Sequence, residues 1–164
     1  MRVVVCDTGP ILHLHEIGGL DLLEKTGEVI LPKAVNTELL AHLPEWAKEH
    51  PACLRIVAVS AGDRHWMDLC QSMGLGIGEA EAVALARSVH ADWLLTDDAA
   101  ARVVATLMGL EVHGSLGVIL WAATAGHADH DRAFALLDRL AKSSLWISPR
   151  ILDEARQALT NLFA

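Results

Sequence analysis

RVVVCDTGP, residues 2–10, opens on a run of β-branched residues and ends on an aspartate inside a helix-start or turn signature. Apolar and polar residues do not alternate in the run, so a strand here is covered on both faces, as strands of a parallel sheet are. The theme returns at ADWLLTDD, residues 91–98, where an apolar strand runs directly into two aspartates. Shorter apolar runs at EVILP (28–32), RIVAVS (55–60) and LEVHG (110–114) supply three more strands.

Helical spacing fills the intervals. ILHLHEIGGLDLLEKTG (11–27) reads as one or two helices, with Gly18, Gly19 and Gly27 as breaks. KAVNTELLAHLPEWAKEH (33–50) is a helix broken near Pro44, and DRHWMDLCQSM (63–73) puts Trp66, Leu69, Cys70 and Met73 on one stripe. AAARVVATLMG (99–109) ends on a capping Gly109. Three further helical patterns close the chain, with Ser115 and Ser148 as N-caps and Pro149 at the first helical position of the last. Strand and helix alternate, which indicates a three-layer α/β/α fold with a mostly parallel central sheet and right-handed crossovers. No repeat or linker divides the 164 residues, so residues 1–164 are expected to share one core.

Composition narrows the function classes. The chain is 52% hydrophobic and 21% charged, with mean hydropathy +0.33, values of a packed domain and not of a disordered one. No apolar run approaches the roughly 18 residues of a membrane span, and the apolar start is too short for a signal peptide, so a cytoplasmic protein is expected. Cys6, Cys53 and Cys70 are scattered and odd in number, which reads as buried thiols without disulfide or structural zinc. A net charge of −8 has the wrong sign for general attraction to phosphates. Any nucleic-acid role must then be local or mediated by cations.

Ligands of parallel sheets bind beyond the carboxyl ends of the strands, and that is where acids recur. Asp7 follows the first strand, Asp97 and Asp98 follow WLLT, and Glu38 lies six residues past Pro32, the end of the EVILP strand. GIGEAEAVALA, residues 76–86, adds Glu79 and Glu81 at the start of the helix before WLLT. Carboxylates brought within about 4 to 6 Å raise one another's pKa or require a counter-charge. Mg²⁺ or Mn²⁺ is the natural one, since both prefer hard oxygen ligands and serve phosphate chemistry. Singly, each acid is as well explained as a helix cap or a first-turn charge. Together they require that explanation at four separate segments.

The same motifs resemble those of the PIN-domain nucleases, metal-dependent ribonucleases that include many toxins of toxin–antitoxin pairs. VVVCDTGPILHLHEIGGLDLL looks like the family's opening strand and acid, LPKAVNTEL like its P-x-x-V-x-x-E segment, and WLLTDDAAAR like its later acid-bearing strand end. GEAEAVALA and EVHGSLGVILWA resemble a poorly characterised branch catalogued as a domain of unknown function, and GEAEA is similar to the two-glutamate metal motif of flap endonucleases. The resemblance implies Asp7, Glu38, Glu79, Glu81 and Asp98 as catalytic acids. Asp7, Glu79, Glu81 and Asp98 would be the Mg²⁺ or Mn²⁺ ligands, with Thr8 and Thr96 as hydroxyl contacts and Asp97 as a capping residue. It implies RNA as substrate, an antitoxin as partner and a homodimer. Residues two apart on a helix point about 200° apart, so Glu79 and Glu81 can share a metal only if the first turn is irregular. Their division of labour stays open.

The remaining chemistry-bearing residues read blandly. His13 and His15 diverge on a helix and make no shared ligand face; HADHD (127–131) reads as a helix start. Five tryptophans suit core or interface packing, with Trp46 the most exposed by its mixed surroundings. Lys33, Arg64, Arg87, Arg102 and Arg150 are phosphate contacts by type only, and Arg102 is spaced for an ion pair with Asp98. Two rivals stand beside a nuclease: a non-catalytic PIN-like binding module, disfavoured by the complete acid set, and a phosphotransfer receiver. A receiver needs paired acids after the first strand and a late lysine, and no lysine occurs between Lys48 and Lys142.

Overall fold

The RVVVC run forms the central strand β1 (Val3–Cys6) of a five-stranded parallel sheet, in a computed structural model that describes residues 1–164. In chain order it is followed by α1 (Thr8–Glu16), α2 (Leu22–Thr26), β2 (Glu28–Pro32), α3 (Lys33–His42) and α4 (Trp46–Glu49). Next come β3 (Leu54–Val57), α5 (Arg64–Ser72), α6 (Ile77–Ser88), β4 (Trp93–Leu95) and α7 (Ala99–Leu107). The chain ends through β5 (Val112–His113), α8 (Ser115–Thr124), α9 (His130–Ala141) and α10 (Pro149–Leu162). The spatial order of the strands is β3-β2-β1-β4-β5. No helix is long and apolar enough to cross a membrane.

Successive side chains of a strand point to opposite faces, and here both faces are covered. Val4, Cys6, Val29, Leu31, Trp93 and Leu95 face one apolar cluster, which α1, α2, α3, α8, α9 and α10 complete with residues such as Leu14, Leu22, Leu39, Ile119, Leu136 and Leu159. Val5, Ile30 and Leu94 face the other, closed by Cys70 of α5, Val83 and Leu85 of α6 and Val104 of α7. The unbroken apolar runs are thus the signature of a three-layer α/β/α fold. Each buried side chain of Val, Leu or Ile size contributes about 1.5–3 kcal/mol relative to exposure.

Some local details differ from the sequence reading. Leu69 and Met73 stay 43% and 45% exposed, because α5 packs mainly on α6 and of its stripe buries only Cys70 fully. Ser115 begins α8 and does not cap it; Gly114 holds the cap position, and the capping carboxylate arrives from Asp97. Ser148 caps α10 through the Ile151 N–H, with Pro149 following it. Trp46, expected outside, is 3% exposed, and its indole N–H donates to Asn36. Trp146 is the outward tryptophan, 81% exposed in the loop between α9 and α10.

Candidate active site

In a parallel sheet of this order the chain leaves β1 towards β2 and leaves β4 towards β5, so the crevice beyond β1 and β4 is the topological switch point. Cys6 pairs with Leu95, which brings Asp7 and Thr96 out of the two strands at the same level. The Asp7 N–H donates to the Leu95 carbonyl, and the Thr96 hydroxyl donates to Asp7 Oδ2 at 2.9 Å. Asp7 Oδ1 accepts from the Thr8 N–H at 2.8 Å, so the carboxylate also starts α1. It is 4% exposed.

Three further acids close round it from other elements. Glu38, on the second turn of α3, is held by the Thr8 hydroxyl, which donates to its Oε2. Glu79 accepts from the Gly76 N–H at 2.6 Å and so caps its own helix, α6, while lining the cleft. Asp98 caps α7 through the Ala101 N–H at 2.8 Å, its own N–H resting on the Thr96 hydroxyl. Asp7, Glu38, Glu79 and Asp98 line one cleft of about 260 Å³ with Thr8, Gly9 and His13. Gly78 makes that approach possible. A Cβ there would collide with the Glu38 carboxylate, so the glycine preceding Glu79 lets α3 and α6 close together.

Glu81 is not brought to this cleft. Its Oε2 accepts from the Ala34 N–H at 2.8 Å, at the amino end of α3, where a carboxylate meets an unpaired N–H and the positive end of the helix dipole. The helix stays regular from Ile77, so the two glutamates diverge as their spacing demands.

Asp97 is saturated by protein donors: Ser115 N–H at 2.7 Å, Ser115 hydroxyl at 2.6 Å and His13 Nδ1 at 2.7 Å. One side chain ties α1, the β4–α7 turn and the start of α8 together. His13 is the cleft residue that sequence reasoning set aside, since its partner lies 84 residues away and no local spacing announces it. Arg102 forms no ion pair with Asp98; its guanidinium donates to the Thr96 carbonyl at 3.3 Å instead. The Asp98 side chain has turned back to cap α7 through its Oδ1.

A larger cleft, about 580 Å³, lies by Ala91 and Leu110, which precede β4 and β5, and so sits at the opposite, amino end of the sheet. Its polar groups are satisfied among themselves: Asp63 accepts from Ser60 and Ser88, and the Arg87 guanidinium lies 4.0 Å above the Trp66 ring. The acids concentrate at the carboxyl end.

A family model described as a PIN domain matches residues 3–161, nearly the whole chain. The chain belongs to the PIN-domain family. No curated protein matches it. PIN domains are generally nucleases, so this chain has a nuclease-like fold, and as a class they use divalent metals.

Whether this PIN domain's residues suit such an ion can be tested on their own chemistry. The donors are hard oxygens, the type Mg²⁺ and Mn²⁺ prefer. Burial pushes the Asp7 carboxyl up to about 6, against the pull of the Thr8 N–H and Thr96 hydroxyl, and Glu79 and Glu38 raise it further by repulsion. A cation would relieve both costs. Oε1 of Glu38, Oε1 of Glu79 and Oδ2 of Asp98 accept no hydrogen bond from the protein and remain free for a ligand. In kind and in number the residues fit. In position they are still engaged with protein donors, and no three His, Cys, Asp or Glu side chains converge as a finished metal centre.

Proposed function

We propose that this PIN domain is a Mg²⁺- or Mn²⁺-dependent ribonuclease that hydrolyses phosphodiester bonds. The observation that carries the reading is the meeting of Asp7, Glu38, Glu79 and Asp98 in one cleft at the switch point of a PIN-family sheet. Asp7, Glu79 and Asp98 would hold the ion. Bound there, it would offset charge on the phosphate and favour ionisation of water. Glu38 would orient the attacking water through its free Oε1, since the Thr8 hydroxyl fixes its other oxygen. The Thr96 hydroxyl keeps Asp7 aimed into the cleft. Glu81 serves the reading indirectly, by fixing α3 and with it Glu38.

In its finer form, taken from the family resemblance, the protein is the toxin of a toxin–antitoxin pair, a cytoplasmic homodimer silenced by its antitoxin. The rival reading, a PIN domain that binds nucleic acid or a partner without cutting, draws on the lack of a preassembled three-ligand centre. A cleavage assay separates them. Wild type, Asp7→Asn and Asp98→Asn are compared on structured and single-stranded RNA with and without Mn²⁺. The proposal expects metal-stimulated cleavage by the wild type and a loss of about 100-fold or more in each variant, the scale of removing a group that stabilises a transition state. Equal activity in all three proteins removes this cleft from consideration. RNA binding without any metal-stimulated cleavage leaves the binding module.

A further inference from the structure

Beside the acidic cleft runs a second one of about 530 Å³ and opposite character. The two share Asp97 and Leu145 in their walls, so they adjoin. Leu116, Leu120, Leu145, Ile147 and Ile151 give the second cleft an apolar wall, and Trp146 stands at its mouth. That exposed indole is not on a loose loop. Glu16, at the end of α1, accepts from the Ser144 N–H at 2.9 Å and the Ser144 hydroxyl at 2.6 Å, two residues before Trp146. The indole, 81% exposed beside that wall and carried on a segment tied to α1, presents a flat face to solvent on which a ring could stack.

At the junction of the two clefts lies Arg102. It is exposed, pairs with no carboxylate, and is held by the Thr96 carbonyl, the residue whose hydroxyl orients Asp7. Gly114 keeps the junction open: a Cβ there would lie 2.6 Å from Asp97 Oδ1 and 3.2 Å from Arg102 Nη1. An unpaired cation between a carboxylate cluster and an apolar wall is ordered for a ligand with alternating phosphates and flat apolar rings. An apolar side chain of a protein partner would use the wall and leave the cation idle.

We propose that this cleft is a base-binding subsite of the acidic site, in which an unstacked base of a single-stranded nucleic acid stacks on Trp146 and an adjoining phosphate meets Arg102. The choice of ligand rests on the nuclease reading. Bases held in a duplex cannot reach the indole face, so the subsite selects single strands, loops or frayed ends. The stack is sequence-tolerant, because every base presents a π face.

The test is equilibrium binding in an Asp7→Asn background with Mg²⁺, so that strands stay whole. Polarisation of a labelled, mixed-sequence single-stranded RNA gives affinity, and tryptophan quenching reports contact at the indole. Adding Trp146→Ala is expected to weaken binding about 5- to 150-fold, the range of one base–aromatic stack, and to remove most of the quenching. Adding Arg102→Ala lowers the salt slope by about one, whereas Trp146→Ala leaves it alone. Duplex RNA binds equally with and without Trp146. The outward position of Trp146 makes its removal harmless to folding, which thermal melting verifies.

Single-strand binding within about two-fold of the parent after Trp146→Ala overturns the subsite, on the same stacking scale. So does sedimentation showing a dimer that Trp146→Ala dissolves, since a second copy then covers the face. If cleavage is never found but the stack and salt effects are, the subsite stands and the nuclease reading falls. If cleavage is found and Trp146→Ala binds normally, the subsite alone falls.

Discussion

Asp7→Asn should make the metal-free protein more stable above neutrality, although it deletes the central acid. In the folded chain burial raises the Asp7 carboxyl from 3.8 to about 6, with repulsion from Glu79 and Glu38 added. A carboxyl whose folded pKa is raised binds its proton more tightly when folded. Its stabilising contribution is therefore complete below the unfolded value of 3.8 and is lost as pH rises through about 6. The shift is near two units, so ionised Asp7 costs roughly 3 kcal/mol at about pH 8 relative to the neutral acid. Asparagine is neutral throughout. Its Oδ1 still accepts from the Thr8 N–H, and its amide can donate to the Thr96 hydroxyl in place of accepting from it. Allowing about 1 kcal/mol for imperfect hydrogen bonds leaves a net gain of about 2 kcal/mol, or about 4–8 °C in melting temperature for a chain of this size. The measurement is thermal or urea unfolding of both proteins in a chelating buffer from about pH 4 to about pH 8. The two curves should meet or cross in acid and separate as pH rises. Adding Mg²⁺ or Mn²⁺ at about pH 8 should raise the wild type and leave the variant nearly unchanged, because binding to the folded state alone stabilises it. A wild type whose stability relative to Asp7→Asn does not change over that range would refute the electrostatic reasoning. So would a variant less stable than wild type in mild alkali without metal.

Two other predictions probe the elements around Asp7. Gly78→Ala places a methyl against the Glu38 carboxylate, the movable end of that side chain, so it should change stability by no more than about 1 kcal/mol yet displace Glu38 and lower cleavage at least ten-fold, read by unfolding and by the RNA assay. Glu81→Gln and Glu79→Gln should part company. Each weakens a carboxylate–N–H contact at a helix start, costing about 0.5–1 kcal/mol, but the first keeps most activity and the second lowers metal-stimulated cleavage about 100-fold. Equal activity losses in the two variants would mean that Glu81 reaches the reaction after all.

Much of the architecture is legible because its causes are local. An unbroken apolar run such as VVVC requires cover on both faces, and alternation of such runs with helical spacing leaves few arrangements other than a parallel sheet between helices. Acids after β1 and β4 are therefore assigned to one rim before any contact is known. The family resemblance sharpens that assignment to particular residues. The stripe on α5 fails because spacing describes one helix and not the neighbour it meets.

What lies beyond the sequence is decided by partners distant along the chain. GEAEA places two carboxylates at the start of a helix and leaves their roles open; a regular first turn points them apart, and Glu81 meets the Ala34 N–H while Glu79 stays with Asp7 and Glu38. His13 enters the cleft through Asp97, and Arg102 turns to the Thr96 carbonyl and not to Asp98. Trp46 and Trp146 exchange the surroundings that their neighbours in sequence suggest, since burial depends on which helix folds over them. Sequence by itself determines periodicity, strand ends and the inventory of acids, because those follow from backbone geometry and side-chain type. Only tertiary structure decides which oxygen meets which donor, because a hydrogen bond is settled within a few tenths of an ångström by elements that the chain brings together from far apart.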